Sequence, residues 1–307
     1  MPGMHRHRVE EDRVRRHGRL RTAVQLAAAV FFNGYAAGFV KGKIFTGGTK
    51  GFCVPVLNCY SCPGALGACP IGALQSLLGG GSRIPFYALG LLMLFGVVCG
   101  RLLCGFLCPF GFLQDLLHRI PVKKVQVPKR LDRPLRLVKY IVLVVLVVGL
   151  PLLATNTYGI GTPWFCKLLC PAGTLEGGIP LMVLNGSLRA LAGTLFRWKV
   201  LVLLTVVIAC LLIHRFFCRY LCPLGAIYSL FNRFALCRMK LDRTKCVSCG
   251  RCESACPMAV DVTRDINGPE CIRCGKCAAV CPTDAISHDW PLHSHVESQK
   301  SKIHKQT

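Results

Sequence analysis

The sequence predicts a mainly α-helical protein. A polytopic membrane domain of about four spans, built on an internal two-span duplication, precedes a small α+β unit. Three observations predict this. Apolar residues make up 52% of the 307 positions, and long apolar runs dominate the chain up to about residue 220. Basic residues collect in blocks beside those runs. Cysteine occurs 21 times, mostly in repeated short spacings.

Residues 1–20 carry Arg6, Arg8, Arg13, Arg15, Arg16 and Arg19 among Glu10, Glu11 and Asp12, with Arg21 of the same basic block directly after, and are expected to form a basic cytoplasmic N-terminus. No small-residue cleavage site follows close behind the first apolar stretch, so that stretch reads as an uncleaved membrane helix and not a signal peptide. A helix needs about 20 mostly apolar residues to span the hydrocarbon core. Stretches 21–40, 84–107, 135–155 and 198–217 qualify, the first being weakest because it contains Gln25 and Asn33. Stretch 179–196 is interrupted by Asn185, Gly186 and Arg189, and reads as interfacial or re-entrant. The membrane domain so defined covers 21–235.

The loop after the second span holds Arg119, Lys123, Lys124, Lys129, Arg130, Arg133, Arg136 and Lys139 against Asp132. The segment after the fourth holds Arg215, Arg219, Arg233, Arg238, Lys240, Arg243 and Lys245. The other two loops are longer and far less basic. The positive-inside rule then puts the N-terminus, the middle loop and the C-terminal unit in the cytoplasm, as expected of a multi-pass protein of the bacterial cytoplasmic membrane.

Two copies of C-x2-C-x2-C-x3-C-P follow in the C-terminal unit, 240–287. They are Cys246, Cys249, Cys252, Cys256 with Pro257, and Cys271, Cys274, Cys277, Cys281 with Pro282. This is the ligand run of a bacterial two-cluster ferredoxin, in which the fourth cysteine serves the other cluster. One [4Fe–4S] cluster is therefore assigned to Cys246, Cys249, Cys252 and Cys281, and a second to Cys271, Cys274, Cys277 and Cys256. A zinc ribbon would use four of the eight and has no need of the prolines. Residues 288–307, with His288, His293 and His295, are expected to be a disordered tail.

Four Cys-Pro-x-Gly segments punctuate the membrane domain, at Cys69, Cys108, Cys170 and Cys222. Three have a second cysteine four residues earlier, at Cys104, Cys166 and Cys218. Residues 101–109 align without gaps on 215–223, the mark of a duplicated unit. Cysteines at i and i+4 share a helix face, so two such pairs can surround one cluster. Cys104, Cys108, Cys218 and Cys222 are the expected third iron–sulfur site, at the cytoplasmic membrane face, with proline ending the helical ladder and glycine letting the chain pass close to the cofactor. An outer site would take Cys62 and Cys69, or Cys59 and Cys62, with Cys166 and Cys170. Disulfides are its rival if that side faces an oxidising compartment. Cys99, Cys210 and Cys237 fit no repeat and read as packing residues.

At these residues the chain resembles the NapH/NosR-like membrane-bound polyferredoxins, over roughly residues 20–285. The resemblance implies an electron-transfer subunit of an anaerobic respiratory system, a quinol dehydrogenase being one form. Electrons would move between cytoplasmic donors or the quinone pool and an extracytoplasmic or membrane redox partner. Its implied cofactors are the two ferredoxin clusters, one or two more in the membrane domain, and quinone as a further candidate. The chain departs from the best-known members in its cysteine-rich outer loop, in Cys166/Cys170, and in lacking a covalent-flavin threonine motif.

Two other readings stay open: a redox-sensing regulator, and a metal-handling or maturation factor for an exported metalloenzyme. Nucleic acid is not an expected partner despite the formal charge of +24. The basic blocks flank apolar segments as lipid anchors, and each oxidised cluster site carries roughly two negative charges. C-x-x-C-H for c-type haem is absent, and no histidine lies mid-span. A straight span rises about 30 Å, so inner and outer sites need a bridge. The candidates are a quinone, a flavin on a partner, or clusters drawn inward by re-entrant loops.

Overall fold

Residues 2–80, 86–154, 161–190 and 192–289 are described by the computed structural model, and most of them are helical. Among them, Lys129–Leu153 and Thr194–Leu212 are the two helices long and apolar enough to cross a membrane. They correspond to the expected third and fourth spans. Phe86–Cys99 and Gly173–Leu184 are apolar but shorter.

The expected first and second spans are broken. The first helix runs from Pro2 to Phe32, stops, and resumes as Ala36–Lys41. It therefore starts well upstream of the expected boundary. In the second stretch, helix Phe86–Cys99 ends where Gly100 adopts φ +53°, and a short helix Leu102–Phe106 follows. A left-handed glycine terminates a helix cheaply because it has no Cβ to clash. Near the fourth span Arg215 makes a left-handed break at φ 52°, one position later in the repeat than Gly100, before a short helix Phe216–Tyr220. The duplicated sequence thus gives duplicated breaks.

These breaks change the geometry expected for the cysteine pairs. Cys104 and Cys218 lie in the short helices. Cys108 and Cys222 lie two residues past them in extended backbone and begin the next helices, Pro109–Leu117 and Pro223–Phe231. Cys69 starts Pro70–Gly79 in the same way. Each proline stands at the first helical position, where its missing N–H would have no partner anyway. Proline here begins a helix and does not simply end one.

Segment 52–69 carries no regular helix, yet Val56, Leu57, Asn58, Cys62 and Ala65 are buried. Its ends pair through Val54 N–H to the Ala68 carbonyl and Ala68 N–H to the Phe52 carbonyl, each 2.9 Å. The Tyr228 hydroxyl donates to the Pro55 carbonyl at 3.0 Å. Val56 and Leu57 join one apolar core with Ile71, Phe110, Phe165, Phe217 and Tyr228, and with seven of the cysteines. The core therefore sits among the thiols.

The C-terminal unit has two antiparallel strands, Arg238–Leu241 and Ile286–Asp289, with Met239 opposite His288. His288 is thus in a strand, not in a tail; residues 290–307, with His293 and His295, lie outside the described residues. The unit repeats internally. Ser248 and Arg273 have φ of 52° and 51°, and Gly250 and Gly275 have 72° and 74°. Ala259 and Asp284 follow at 47° and 51°. Left-handed backbone at matched positions curls each cysteine run around one point, at a cost of about 1–2 kcal/mol for each non-glycine residue so held.

This unit is docked on the helices. Leu236 and Cys237 N–H groups donate to the Val97 and Val98 carbonyls at 2.9 and 3.0 Å. The basic N-terminal segment is a helix that packs on it. Arg13 pairs with Asp284 and donates from Nη2 to the Cys281 carbonyl at 2.6 Å, and His17 Nε2 hydrogen-bonds the Cys274 carbonyl at 2.7 Å. Arg13 and Arg21 serve internal contacts, which corrects their reading as lipid anchors.

Candidate iron–sulfur sites

Four cavities among the described residues are each lined by four cysteines. Cys246, Cys249, Cys252 and Cys281 line one of about 360 Å³. Cys256, Cys271, Cys274 and Cys277 line another of about 380 Å³. Both sets include the crossed-over fourth cysteine. Cys104, Cys108, Cys218 and Cys222 line a third, of about 330 Å³. The inner thiols thus surround a small space as each ferredoxin set does, and four thiols around one space are the donor set a cubane cluster requires.

The fourth cavity is larger, about 1080 Å³, and its thiols are Cys59, Cys69, Cys166 and Cys170. Cys62 is not in its lining, although both expected outer sets that used it were built on its spacing. The reason is local. Cys62 N–H turns back onto the Cys59 carbonyl at 3.0 Å, and the Glu176 carboxylate accepts the Cys59 N–H at 2.8 Å. That tie holds Cys59 toward the facing loop. All 21 cysteines are free thiols. Among the described residues no group of three or more His, Cys, Asp or Glu side chains converges on a point that could hold a single metal ion. The thiols surround spaces.

Cations frame the inner cavity in a pseudo-twofold pattern. Arg101 precedes the first cysteine pair but donates to the Cys218 carbonyl of the second, at 3.0 Å. Arg215 precedes the second and donates to the Cys104 carbonyl of the first, at 2.7 Å. Both side chains are completely buried and each has its own carboxylate. Arg101 meets Glu270 of the C-terminal unit at 2.8 Å, where Lys139 joins at 2.5 Å. Arg215 meets Asp115 at 2.7 Å, with Arg21 at 2.5 Å and His214 at 3.1 Å.

Burial opposes ionisation of Glu270, but Arg101 and Lys139 hold its carboxyl below the usual range. Asp115 is held well below it by Arg215, His214 and Arg21. Arg219 and Arg136 share Asp132 in the same manner, each at 2.5 Å. Buried charges persist only when paired like this. The sequence reading of these basic residues as topological anchors is corrected accordingly for Arg136, Lys139, Arg215 and Arg219.

In the C-terminal unit burial pushes the Cys271 thiol up to about 12, and raises Cys256 and Cys277 as well. At Cys281 burial is outweighed by hydrogen bonds from Thr283, Ala285 and Ile286, and the thiol is lowered. Thiols held up by burial ionise when iron replaces the proton, so loading these sites releases protons.

The cavities adjoin one another. Leu57 lines both the inner and the outer one. A Cβ on Gly105, beside Cys104, would lie 2.5 Å from the carbonyl of Ile272, which lines the second ferredoxin cavity. Cys249 is exposed at the far end. Cys99 and Cys237 touch each other, and Cys210 packs under Gln114; none of the three lines a cysteine cavity. The sequence reading did not single out the polar residues six positions after each Cys-Pro cysteine: Gln75, Gln114, Glu176 and Tyr228. Their fixed offset within apolar helices was the available signal.

Comparison with known proteins places iron–sulfur families on the ferredoxin cysteines, on the inner set and on Cys69, while Cys59, Cys166 and Cys170 lie outside the matched residues. The 4Fe-4S binding domain family matches residues 67–86, 84–128 and 194–244, so its match repeats over the two duplicated motifs. The 4Fe-4S dicluster domain family matches 238–282. Two uncharacterized proteins of Methanocaldococcus jannaschii are similar. One is 31% identical over 56% of this chain and 58% of its own length; the other is 30% identical over 62% and 73%. The methylamine utilization ferredoxin-type protein MauN of Paracoccus denitrificans is 29% identical over 78% of this chain and 75% of its own. The chain thus spans little more than half of the first of these relatives. No solved structure matches. The 4Fe-4S family matches on these cysteine runs and the ferredoxin-type relatives make this an iron–sulfur electron-transfer protein, and the chain belongs to the NapH/NosR-like membrane-bound polyferredoxins.

Proposed function

We propose that the chain is a membrane-anchored conduit with four [4Fe–4S] sites. It would carry electrons between a cytoplasmic donor or the quinone pool and an extracytoplasmic or membrane-bound acceptor. The ligands are Cys246, Cys249, Cys252 and Cys281; Cys256, Cys271, Cys274 and Cys277; Cys104, Cys108, Cys218 and Cys222; and Cys59, Cys69, Cys166 and Cys170. A bound [4Fe–4S] cluster takes up and releases one electron, which is the chemistry these sites supply.

The observation that carries the reading is Leu57, a wall common to the two membrane-domain cavities. A straight span would separate inner and outer sites by about 30 Å. Segment 52–69 packs inside the helices, so Cys59 and Cys69 come toward the inner thiols. This favours a re-entrant segment over a quinone or a partner's flavin as the bridge. Gly105 does the same on the other side by letting the Ile272 carbonyl approach. The paired arginines offset the negative charge of loaded sites in a core from which water is excluded.

Arg119, Lys123, Lys124, Lys129, Arg130 and Arg133 remain exposed in the middle loop. They support a four-span, multi-pass arrangement with the N-terminus and the ferredoxin unit in the cytoplasm. The test is iron and acid-labile sulfide per chain on anaerobically purified protein, with low-temperature EPR during a redox titration. About sixteen irons titrating as four centres are expected; about eight would leave only the ferredoxin loaded and overturn the conduit.

A further inference from the structure

Gln75 follows Cys69 by six residues, and Gln114 follows Cys108 by six. Both amides are fully buried and share three kinds of contact, and Gln114 Oε1 also faces Cys210 Sγ at 3.5 Å. Gln75 Nε2 donates to the Ile71 carbonyl, four residues back, and to Cys166 Sγ, both at 3.3 Å. Its Oε1 accepts the Phe165 N–H at 3.0 Å. Gln114 Nε2 donates to the Phe110 carbonyl, also four residues back, at 3.3 Å, and to Cys218 Sγ at 2.9 Å. Its Oε1 accepts the Cys218 N–H at 3.4 Å.

The network fixes which way each amide faces. Turned over, it would set oxygen against a carbonyl and NH₂ against a backbone N–H. The NH₂ groups therefore face sulfur. Cys166 and Cys218 are the leading cysteines of equivalent motifs, one in the outer cavity and one in the inner. A glutamine that merely filled space could be replaced by an apolar residue without leaving any partner to satisfy. The other two residues at this offset do different work. Glu176 accepts the Cys59 N–H and Tyr228 donates to the Pro55 carbonyl, so both fasten segment 52–69.

We propose that Gln75 and Gln114 are positioning residues that set the reduction potentials of the outer and inner sites. Each does so by donating one amide hydrogen to a ligating thiolate, that of Cys166 or Cys218. This rests on the reading that those thiols hold clusters. A hydrogen bond to a ligand sulfur stabilises the more negative, reduced state and so raises the potential. Losing it lowers the potential of that site alone.

The test is EPR redox titration and iron analysis of Gln75→Met and Gln114→Met beside the unaltered protein. The expected result is unchanged iron with one centre displaced to lower potential in each variant. The centre differs between the two, and the ferredoxin centres do not move. Full iron with all potentials unmoved overturns the tuning role and leaves the conduit intact. About eight irons in the unaltered protein overturns the conduit and the proposal together. Should either variant lose its centre outright, pulsed EPR on unaltered protein with 15N in the glutamine side chains decides the matter. Nitrogen coupling at both membrane-domain centres supports the proposal, and its absence overturns it.

Discussion

Replacing Glu270 with alanine should loosen the ferredoxin unit from the helices. Glu270 gives one carboxylate oxygen to Arg101 at 2.8 Å and the other to Lys139 at 2.5 Å, and all three side chains are buried. Arg101 would retain only the carbonyls of Pro269 and Cys218. The variant leaves two buried cations facing each other without their anion. One such attraction is worth about 4 kcal/mol at 4 Å and an effective dielectric constant near 20, most of which repays desolvation when the pair is intact. Removing one partner of a buried pair costs about 3–5 kcal/mol. With a factor of ten for each 1.4 kcal/mol, opening of the interface should rise about 10²- to 4 × 10³-fold.

The Leu236 and Cys237 amides report that opening, because they are bonded across the interface to the Val97 and Val98 carbonyls. Their hydrogen exchange should accelerate by that factor, while about eight irons stay with the ferredoxin. Glu270→Gln retains a single acceptor and should fall between the two. Exchange within about twofold of the unaltered protein would mean that the carboxylate does not hold the interface, and the reasoning would fail.

Cys104→Ser and Cys218→Ser should each remove about four irons while the ferredoxin signals persist; unchanged iron would mean these thiols are only packed. Cys59→Ser should abolish the outer centre and Cys62→Ser should spare it, since only Cys59 lines that cavity; the opposite outcome in EPR would reassign the fourth ligand. Gly105→Ala places a Cβ 2.5 Å from the Ile272 carbonyl, a backbone atom that cannot swing aside. It should slow electron exchange between the ferredoxin and the inner centre at full iron content, read by freeze-quench EPR, and an unchanged rate would show the approach to be unimportant.

How much of this was legible depended on how local each feature is. Ligand runs are local, and both ferredoxin sets, with the crossed-over Cys256 and Cys281, line the cavities expected of them. The inner set was legible because two copies of one motif lie in register. The outer set was not. Spacing put Cys62 in both expected sets, with Cys59 or Cys69 beside it, whereas the cavity takes Cys59 and Cys69, and Cys59 is tied there by Glu176, more than a hundred residues away. Charge was misread for the same reason. Arg101 finds Glu270 and Arg215 finds Asp115, across 169 and 100 residues. No pattern along the chain distinguishes such an arginine from one that anchors to lipid. The helix breaks at Gly100 and Arg215 were hidden by uniform apolarity, which reports burial but not φ.

The exchanged arginines bear on how the inner site assembles. Arg101 and Arg215 each belong to one copy of the motif and complete the backbone of the other, so neither copy presents a finished pair of thiols alone. Their counter-ions are not equivalent. Asp115 comes from the first copy and keeps Arg215 within the membrane domain, but Glu270 comes from the ferredoxin and precedes its ligand Cys271 by one residue. Arg101 is therefore satisfied only when the ferredoxin is docked. An undocked ferredoxin would leave a buried arginine and Lys139 without an anion beside the inner thiols, an arrangement disfavoured by several kcal/mol. The duplicated motif builds the inner site, and the broken symmetry at Glu270 makes its stability depend on contact with the neighbouring site.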